Sequence, residues 1–494
     1  MSERGVWETI EQDYNKIIIS MDGNNVINSR IENIDDNNYK VLEIISLSKS
    51  MITRHTLKEM LEIDEEEIGS ILESLVESRI VDDKIVNSME SLSIYSTELK
   101  RIVYSRISND DKIKLHKQVA NCIIRRYEYD YQFVMEELIY HLKNSGQYDY
   151  ALKILLSEAE KQSNRYSSYS ISLWEHAYNL VKNTDNDEIL NILNSLITIY
   201  DMKGYVELTG GYITKMQRIA LEKDNLEYLI KAKYHQVEIY INTNQLDLAE
   251  SLVSEAEKIV NNNKDLYEGQ ILLLMSRTKM AFKKSQFEDM EYYLKKAVKV
   301  SEEHNIIKYL GNIYNLFGLY YYLSGMPQPA IEHFNKSIKY YEQDDNIIEE
   351  FKPINNIGNI YANVYGEDDK ALEYFQKGYK IASKYKFAKA SFIFTSNIGN
   401  IYYRNLQMDE ALQYFETSRN ISNETEEYRG ITLSNLSLGM IYLSGDKYDK
   451  ADEVFDFIEE INNREPIVDS EVLTTYYTFM GRYNNYYGKL EESL

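Results

Sequence analysis

The chain is short of residues that break or cross-link helices. It has 4 prolines in 494 residues, where average usage of about 5% would give about 25. Its 20 glycines are also few. Such a chain has few helix breakers and few residues suited to turns with φ > 0. A β-sandwich or barrel would need many more of both, so a mostly helical protein is expected. The single cysteine, Cys122, excludes an internal disulfide and a cysteine-based zinc site; it reads as a small buried hydrophobe in a reducing, cytoplasmic setting. No run approaches 18 uncharged apolar residues, so no transmembrane helix is expected. Residues 1–8 carry acids and no apolar core of a signal peptide. Basic charge is scarce too: 55 Lys+Arg stand against 79 Asp+Glu, a formal charge of -24. That argues against holding nucleic acid over a broad face.

Chemical motifs are equally sparse. No Gly-x-x-x-x-Gly-Lys-[Ser/Thr] loop occurs, nor a kinase Gly-rich loop or His-Arg-Asp motif. The seven histidines form neither His-x-x-x-His nor His-Glu-x-x-His, so no metal site or cofactor is expected. Runs such as Glu65-Glu66-Glu67 read as solvated helix faces. No catalytic residue is expected, and the chain reads as non-enzymatic. A long disordered tail is not expected either, since hydrophobic residues make up 44% and aromatics 12%.

A repeat is present. Gly358-Asn359-Ile360-Tyr361 recurs as Gly399-Asn400-Ile401-Tyr402 and, more weakly, as Gly439-Met440-Ile441-Tyr442; Gly318 and Tyr321 stand one unit upstream. Each is followed by a small residue with an aromatic four later: Ala330/Phe334, Ala371/Phe375, Ala411/Phe415 and Ala451/Phe455. The small position traces back through Met290 and Ala249 to Thr209 and forward to Ser493, in steps of 40 to 42 residues. A small residue followed at i+4 and i+7 by apolar ones makes one stripe on a helix. The glycine and tyrosine fall on a preceding helix, where glycine lets the two backbones approach and tyrosine fills the space beside the small side chain. The unit is an antiparallel helix hairpin that buries its stripe by stacking on its neighbours. A 40-residue step allows helices of about 17 residues, roughly 26 Å.

This pattern resembles the tetratricopeptide repeat (TPR) in its long form, as in kinesin light chain and in peptide-sensing regulators of low-GC bacteria. The resemblance implies an all-α fold: a right-handed TPR superhelix over 166–494, preceded by a small winged-helix module over 37–96 and a helical connector over 97–165. The winged-helix outline comes from a helix stripe at Tyr39, Val41, Leu42, Ile44, Ile45 and Leu47, helices over Arg54–Leu61 and 64–78, and β-like runs over 80–86 and 92–95. Between residues 54 and 84 there are 4 basic and 10 acidic residues, so the helix in the recognition position would be repelled by phosphates. Helices over 99–107 and 112–127 follow. This order resembles the region after the nucleotide-binding core of STAND ATPases (signal-transduction ATPases with numerous domains), where a winged helix feeds a helical arm. Residues 1–36 look like the last strip of such an ATPase, and the chain carries Ile94-Tyr95-Ser96 where many relatives show Phe-x-His. The turn at 488–494 begins a hairpin that the chain does not finish, which suggests a fragment of a longer parent with an ATPase or kinase module.

The candidate ligand site is made of amides. With the repeat glycines at offset 8, Asn356 and Asn397 share offset 6, and Asn359 and Asn400 share offset 9. In TPR superhelices these offsets face the concave surface, and long-repeat relatives use an asparagine ladder there. A primary amide both donates and accepts, so a row of them can pair with the backbone of an extended peptide. The resemblance nominates Asn356, Asn359, Asn397 and Asn400, with Asn355 and Asn363 flanking. Tyr403 offers amphipathic contact area, and Arg404 could meet a ligand carboxylate. The expected role is a sensor or scaffold arm of a cytoplasmic signalling protein that binds a peptide or protein partner, with no nucleic acid and no membrane. A stand-alone peptide-sensing transcriptional or response regulator is the alternative.

Overall fold

The computed structural model describes residues 34–50, 52–86, 89–128, 130–162, 168–203, 205–424, 428–464 and 470–486. The strip at 1–33 and the unfinished turn at 488–494 lie outside the described residues. Two compact units divide between Ser157 and Glu158. The division falls inside a helix, Tyr148–Gln162, and not at the expected start of the repeats near 166.

The first unit opens with α1 (Asp36–Ser46), α2 (Arg54–Leu61) and α3 (Glu65–Glu77). Their apolar stripes meet in a core that contains Val41, Leu42, Ile45, Leu57, Ile68 and Leu72. Each helix starts on a side-chain cap: Asp35, Thr53 and Asp64 accept from the backbone two or three residues on. The acidic run has a structural cause here. Asp64 accepts from the N–H groups of Glu66 and Glu67 at 3.0 and 2.9 Å, and Glu65, Glu66 and Glu67 sit in the first turn, where the helix dipole favours anions. Strands β1 (Val81–Val86) and β2 (Met89–Ile94) form an antiparallel hairpin that pairs Val81 with Ile94, and Leu92 bridges to Ile52. The second strand begins three residues before the expected 92. Glu90 anchors that start by accepting from the backbone N–H of Arg54 at 2.8 Å and from its Nε at 3.2 Å.

Helices α4 (Thr97–Arg106), α5 (Asn109–Tyr127), α6 (Met135–Asn144) and α7 (Tyr148–Gln162) follow. Their hub is Glu137, 2% exposed. It accepts from the backbone N–H groups of Lys49 and Ser50 at 2.7 and 2.8 Å and bonds His141 Nε2 at 3.0 Å. His141 Nδ1 lies 2.7 Å from His116 Nδ1, and His116 Nε2 lies 3.3 Å from the Tyr104 hydroxyl. Burial pushes the Glu137 carboxyl up, but His141 and the Ser50 and Lys49 amides outweigh it and hold it below its ordinary range. Burial, then the neighbouring His141, lowers the His116 imidazole to about 4. A buried charge thus takes donors from the loop after α1 and from α6 itself, and the chain of contacts through His141, His116 and Tyr104 extends the link to α5 and α4.

The second unit is a stack of helix hairpins. After α8 (Ser168–Val181), α9 (Ile189–Lys203) pairs with α10 (Val206–Glu222), and α11 (Leu226–Asn242) pairs with α12 (Leu246–Asn262). Next come α13 (Tyr267–Lys283) with α14 (Phe287–Glu303), and α15 (Leu310–Leu323) with α16 (Pro327–Gln343). Then α17 (Phe351–Ile360) pairs with α18 (Asp368–Lys384), α19 (Ala388–Arg404) with α20 (Met408–Glu424), and α21 (Tyr428–Ser444) with α22 (Tyr448–Arg464); α23 (Ser470–Tyr486) follows. Helices α11 to α14 are each 17 residues long, the length expected of a 40-residue step. First helices pack on the first helices of neighbouring hairpins at most steps, whereas second helices hardly touch one another. The first helices therefore line the inside of the curve. This is a TPR-type superhelix.

The packing at three successive hairpins corrects one expectation. The glycine does not bring two backbones together; it makes room for a ring. A Cβ on Gly399 would stand 2.8 Å from the Phe415 ring, and one on Gly318 or Gly358 would overlap Phe334 or Phe375. The small residue, Ala330, Ala371 or Ala411, is fully buried one turn away. Tyrosine stacks on the residue three beyond the small one: Tyr361 on Tyr374 at 5.7 Å, Tyr402 on Tyr414 at 5.6 Å.

The turns correct a second expectation. Few glycines do not mean few left-handed residues, since ten non-glycine residues have φ between 49° and 61° among those described. Asn244, Ser285, Leu406 and Asp446 hold this conformation between the helices of a hairpin, and Asp224, Asn305, Asp345 and Lys386 between hairpins. The strain is offset by a hydrogen bond that closes the preceding helix, such as Gln245 N to Tyr240 O at 2.7 Å and Gln407 N to Tyr402 O at 2.9 Å. One further irregularity follows α17. Gly358 and Ala371 are separated by one residue more than Gly399 and Ala411, and the extra residue is taken up by a π-helical turn, Tyr361–Tyr365, closed by Gly366 at φ 67°.

Gly358→Ala should therefore lower the thermal midpoint through overpacking worth about 1–3 kcal/mol. Gly210→Ala should raise it through a stability gain of about 0.5–1 kcal/mol, because a Cβ on Gly210, inside α10, meets nothing within 4 Å. Circular-dichroism melts of both variants check the contrast; equal shifts would contradict the ring-on-glycine packing.

Candidate functional site

The inner face is stitched by side chains one repeat apart. His235 Nε2 lies 3.1 Å from Asn194 Oδ1. The Lys279 ammonium donates to Glu238, and the Tyr309 hydroxyl donates to Glu268. Asn356 Nδ2 donates to Asn315 Oδ1 at 3.4 Å, and Asn397 Nδ2 to Asn355 Oδ1 at 2.7 Å. The partners in these pairs are 41 or 42 positions apart, so each bond joins nearly equivalent positions of successive first helices.

The structure sorts the nominated amides into two groups. Asn356 and Asn397 are half-buried and bonded to Asn315 and Asn355, so their offset forms an internal amide row. Asn359, half-buried, and Asn400, exposed, lie one turn further along their helices; Asn363 is exposed in the π turn. None of these three makes a side-chain hydrogen bond among the described residues. The aromatic candidate is engaged, as Arg482 Nη1 donates to the Tyr403 hydroxyl at 2.6 Å and Ser444 Oγ lies 3.2 Å from it. Arg404 departs from expectation: its guanidinium is paired with Asp368, in the first turn of α18. That carboxylate takes the place foreseen for a ligand's.

A second feature had no place in the sequence reading. First helices of five successive hairpins enclose a cavity of about 460 Å³. Its wall is charged and mostly self-paired. Lys231 and Lys308 flank Glu268 at 3.3 and 2.6 Å, Lys352 pairs with Glu349 at 2.7 Å, and Lys279 pairs with Glu238. Burial pushes the Glu268 carboxyl up, but Lys308, Tyr309 and Lys231 outweigh it and hold it low. Burial, with the Glu268 carboxylate beside it, pushes the Tyr309 hydroxyl well up. Burial, then Lys231 and Lys279, lowers the His235 imidazole to about 4. Across the curve, the Asp201 carboxyl is raised by burial and by Glu238, against Lys279, Lys352 and Lys389. A carboxylate on α9 thus senses lysines on α17 and at the start of α19. The legible signal was opposite charge one repeat apart, as at Glu238 and Lys279. It was hidden because each charge alone resembles a solvated helix face.

Among the described residues no group of three or more His, Cys, Asp or Glu could hold a metal ion, and no helix is long and apolar enough to cross a membrane.

No protein-family model matches the chain, and no curated protein matches it. Solved structures do. A STAND protein with a tetratricopeptide repeat sensor from Pyrococcus horikoshii is similar at 16% identity and a TM-score of 0.49, over 93% of this chain and 61% of that one. This chain therefore spans less than two thirds of the Pyrococcus protein. The quorum sensor NprR from B. thuringiensis, in its apo form, is similar at 14% identity and a TM-score of 0.45, over 61% of this chain and 83% of that one. Aspartyl phosphate phosphatase F from Bacillus subtilis is similar at 15% identity and a TM-score of 0.44, over 69% and 91%. Likenesses of this size carry no argument about function.

His235 gives a pH prediction. Its imidazole sits at about 4 in the fold, against about 6.5 when unfolded. Between those values the unfolded chain holds the extra proton, so this contribution is complete above pH 6.5 and is lost as pH falls toward 4. His235→Gln should shrink the drop in thermal midpoint between pH 7 and pH 5. An unchanged drop would place the acid sensitivity elsewhere.

Proposed function

We propose that the chain is a non-enzymatic TPR sensor or scaffold arm of a cytoplasmic signalling regulator, and that it binds an extended peptide or partner segment along its inner face. The observation that carries this reading is the open amide pair: Asn359 and Asn400 hold the same position in successive first helices, and neither has an internal partner among the described residues. Packed helices lie about 8–10 Å apart, close to three residues of an extended strand at about 3.3 Å each. Amides on successive hairpins can therefore meet every third residue of a peptide backbone, donating to one carbonyl and accepting from one N–H. The internal row at Asn315, Asn356, Asn355 and Asn397 gives this surface a firm base.

In the same reading, the three helices and hairpin over 36–94 act as a winged-helix module that passes changes of the arm to an ATPase or kinase module in a longer parent. The caps and acidic first turn of α3 suit a protein contact and disfavour DNA.

A randomised heptapeptide library panned on the full chain tests the groove. Selected peptides should bind the parent, and the Asn359→Ala/Asn400→Ala variant should lose at least about tenfold in affinity, about 1.4 kcal/mol, with its helical circular dichroism unchanged. Equal affinity for both proteins rejects the reading.

A further inference from the structure

The turns inside the hairpins carry apolar side chains that are left in solvent. First helices of successive hairpins pack on one another and run the same way, so the turns that end them fall along one edge of the second unit. Each of these turns, from α9–α10 to α19–α20, exposes at least one large apolar side chain in it or beside it. The opposite edge, where one hairpin hands over to the next, exposes only Leu221 and Ile307 among the described residues. Exposed apolar residues scattered singly are ordinary; a row on one edge marks a contact surface. The row is densest at three successive turns. Tyr322, Leu323 and Met326 flank the first, Val364 and Tyr365 lie in the second, and Leu406 lies in the third. Leu323 and Val364 hold the same place one repeat apart. Leu406 is the plainest case, with φ 61° and a side chain 78% exposed. The matching positions of other hairpins are Asn244, Ser285, Gly325, Gly366 and Asp446, residues that suit a left-handed turn. Leucine there bears the backbone strain and gains no burial in return, a local cost of the kind that contact sites retain.

The charge beside this row is negative. Asp369, Asp409 and Glu410 are exposed in the first turns of α18 and α20 and make no ion pair among the described residues. The nearby cations are taken: Arg404 pairs with Asp368, which joins the second turn to the third, and Lys370 pairs with Glu367. We propose that the edge formed by Tyr322, Leu323, Met326, Val364, Tyr365 and Leu406 docks a basic amphipathic helix of a partner protein. Packed helices lie about 8–10 Å apart, and a helix advances about 10.5 Å in seven residues. Apolar side chains at i, i+7 and i+14 of the partner therefore meet the three turns in order, and lysines or arginines beside them meet the free carboxylates. A second copy of this acidic chain would set the same carboxylates against each other, and an anionic lipid surface would meet the same repulsion. The edge is separate from the inner face, and its occupation does not require a peptide there.

The probe is a fluorescein-labelled model helix of about 18 residues, made of leucine and lysine with the leucines along one face. A scrambled peptide of the same composition is the control, and both are titrated with the full chain by fluorescence anisotropy. The ordered peptide should bind at least about tenfold more tightly than the scrambled one. Leu406→Asn should weaken the ordered peptide at least about fivefold while keeping or raising the thermal midpoint, because asparagine suits the turn. Weaker binding by a protein that is no less stable separates a contact role from a structural one. Asp409→Asn/Glu410→Gln should also weaken the peptide, and Asn359→Ala/Asn400→Ala should leave it unchanged. Equal binding of the ordered and scrambled peptides overturns the docking edge, as does unchanged affinity in Leu406→Asn. Loss of binding in the Asn359→Ala/Asn400→Ala variant would put the peptide in the inner groove and remove the edge, whereas failure of the heptapeptides alone would leave the edge standing. A concentration-dependent dimer in sedimentation that Leu406→Asn abolishes would assign the edge to a second copy and overturn the proposal.

Discussion

Three successive hairpins of the second unit depend on one repeated contact: a phenylalanine ring of the second helix laid on a glycine of the first. Phe334 on Gly318, Phe375 on Gly358 and Phe415 on Gly399 each fill a space that any side chain on the first helix would close. The buried alanine beside each ring sets how deep it can sit. Because this contact is local to a hairpin, the energetics are those of a linear array, in which each unit stabilises itself and its immediate neighbours.

A curve built on such hairpins has an inside, and the inside decides the chemistry. First helices meet there at short range, so polar side chains at equivalent positions face each other across each step. Apolar side chains would close the groove. The chain instead joins the steps with amide–amide bonds at Asn356 and Asn397 and with ion pairs at Glu238 and Glu268. Their effect is to fix the position of one repeat against the next and to leave chosen groups without partners.

The repeat was legible because helix packing writes directly into sequence: a small residue, an aromatic four later and a glycine before them recur at a spacing that only stacked hairpins explain. The amide candidates came from the resemblance, and the structure bonds two of them, Asn356 and Asn397, to other amides of the wall. What escaped was pairing. Nothing local marks Asp368 as the partner of Arg404, or Asn315 as that of Asn356, because those contacts depend on how far each hairpin turns against the last. The cavity escaped too, since its wall draws on five helices spread from Asn191 to Lys352. The left-handed turns were misread from composition: Asp, Asn, Ser, Lys and even Leu406 adopt the conformation when a hydrogen bond closes the helix before it.

The π turn at Tyr361–Tyr365 changes what an insertion means for this molecule. An added residue inside an α-helix rotates everything beyond it by about 100° about the helix axis, which would carry the following stripe off its target. Here the wide turn absorbs the surplus before α18 begins, and Ala371 and Phe375 still arrive in phase with Gly358. The array is therefore tolerant of length errors at its bends and intolerant of them within its rods. Copies of the repeat can drift apart in length while their inward-facing residues keep a common alignment.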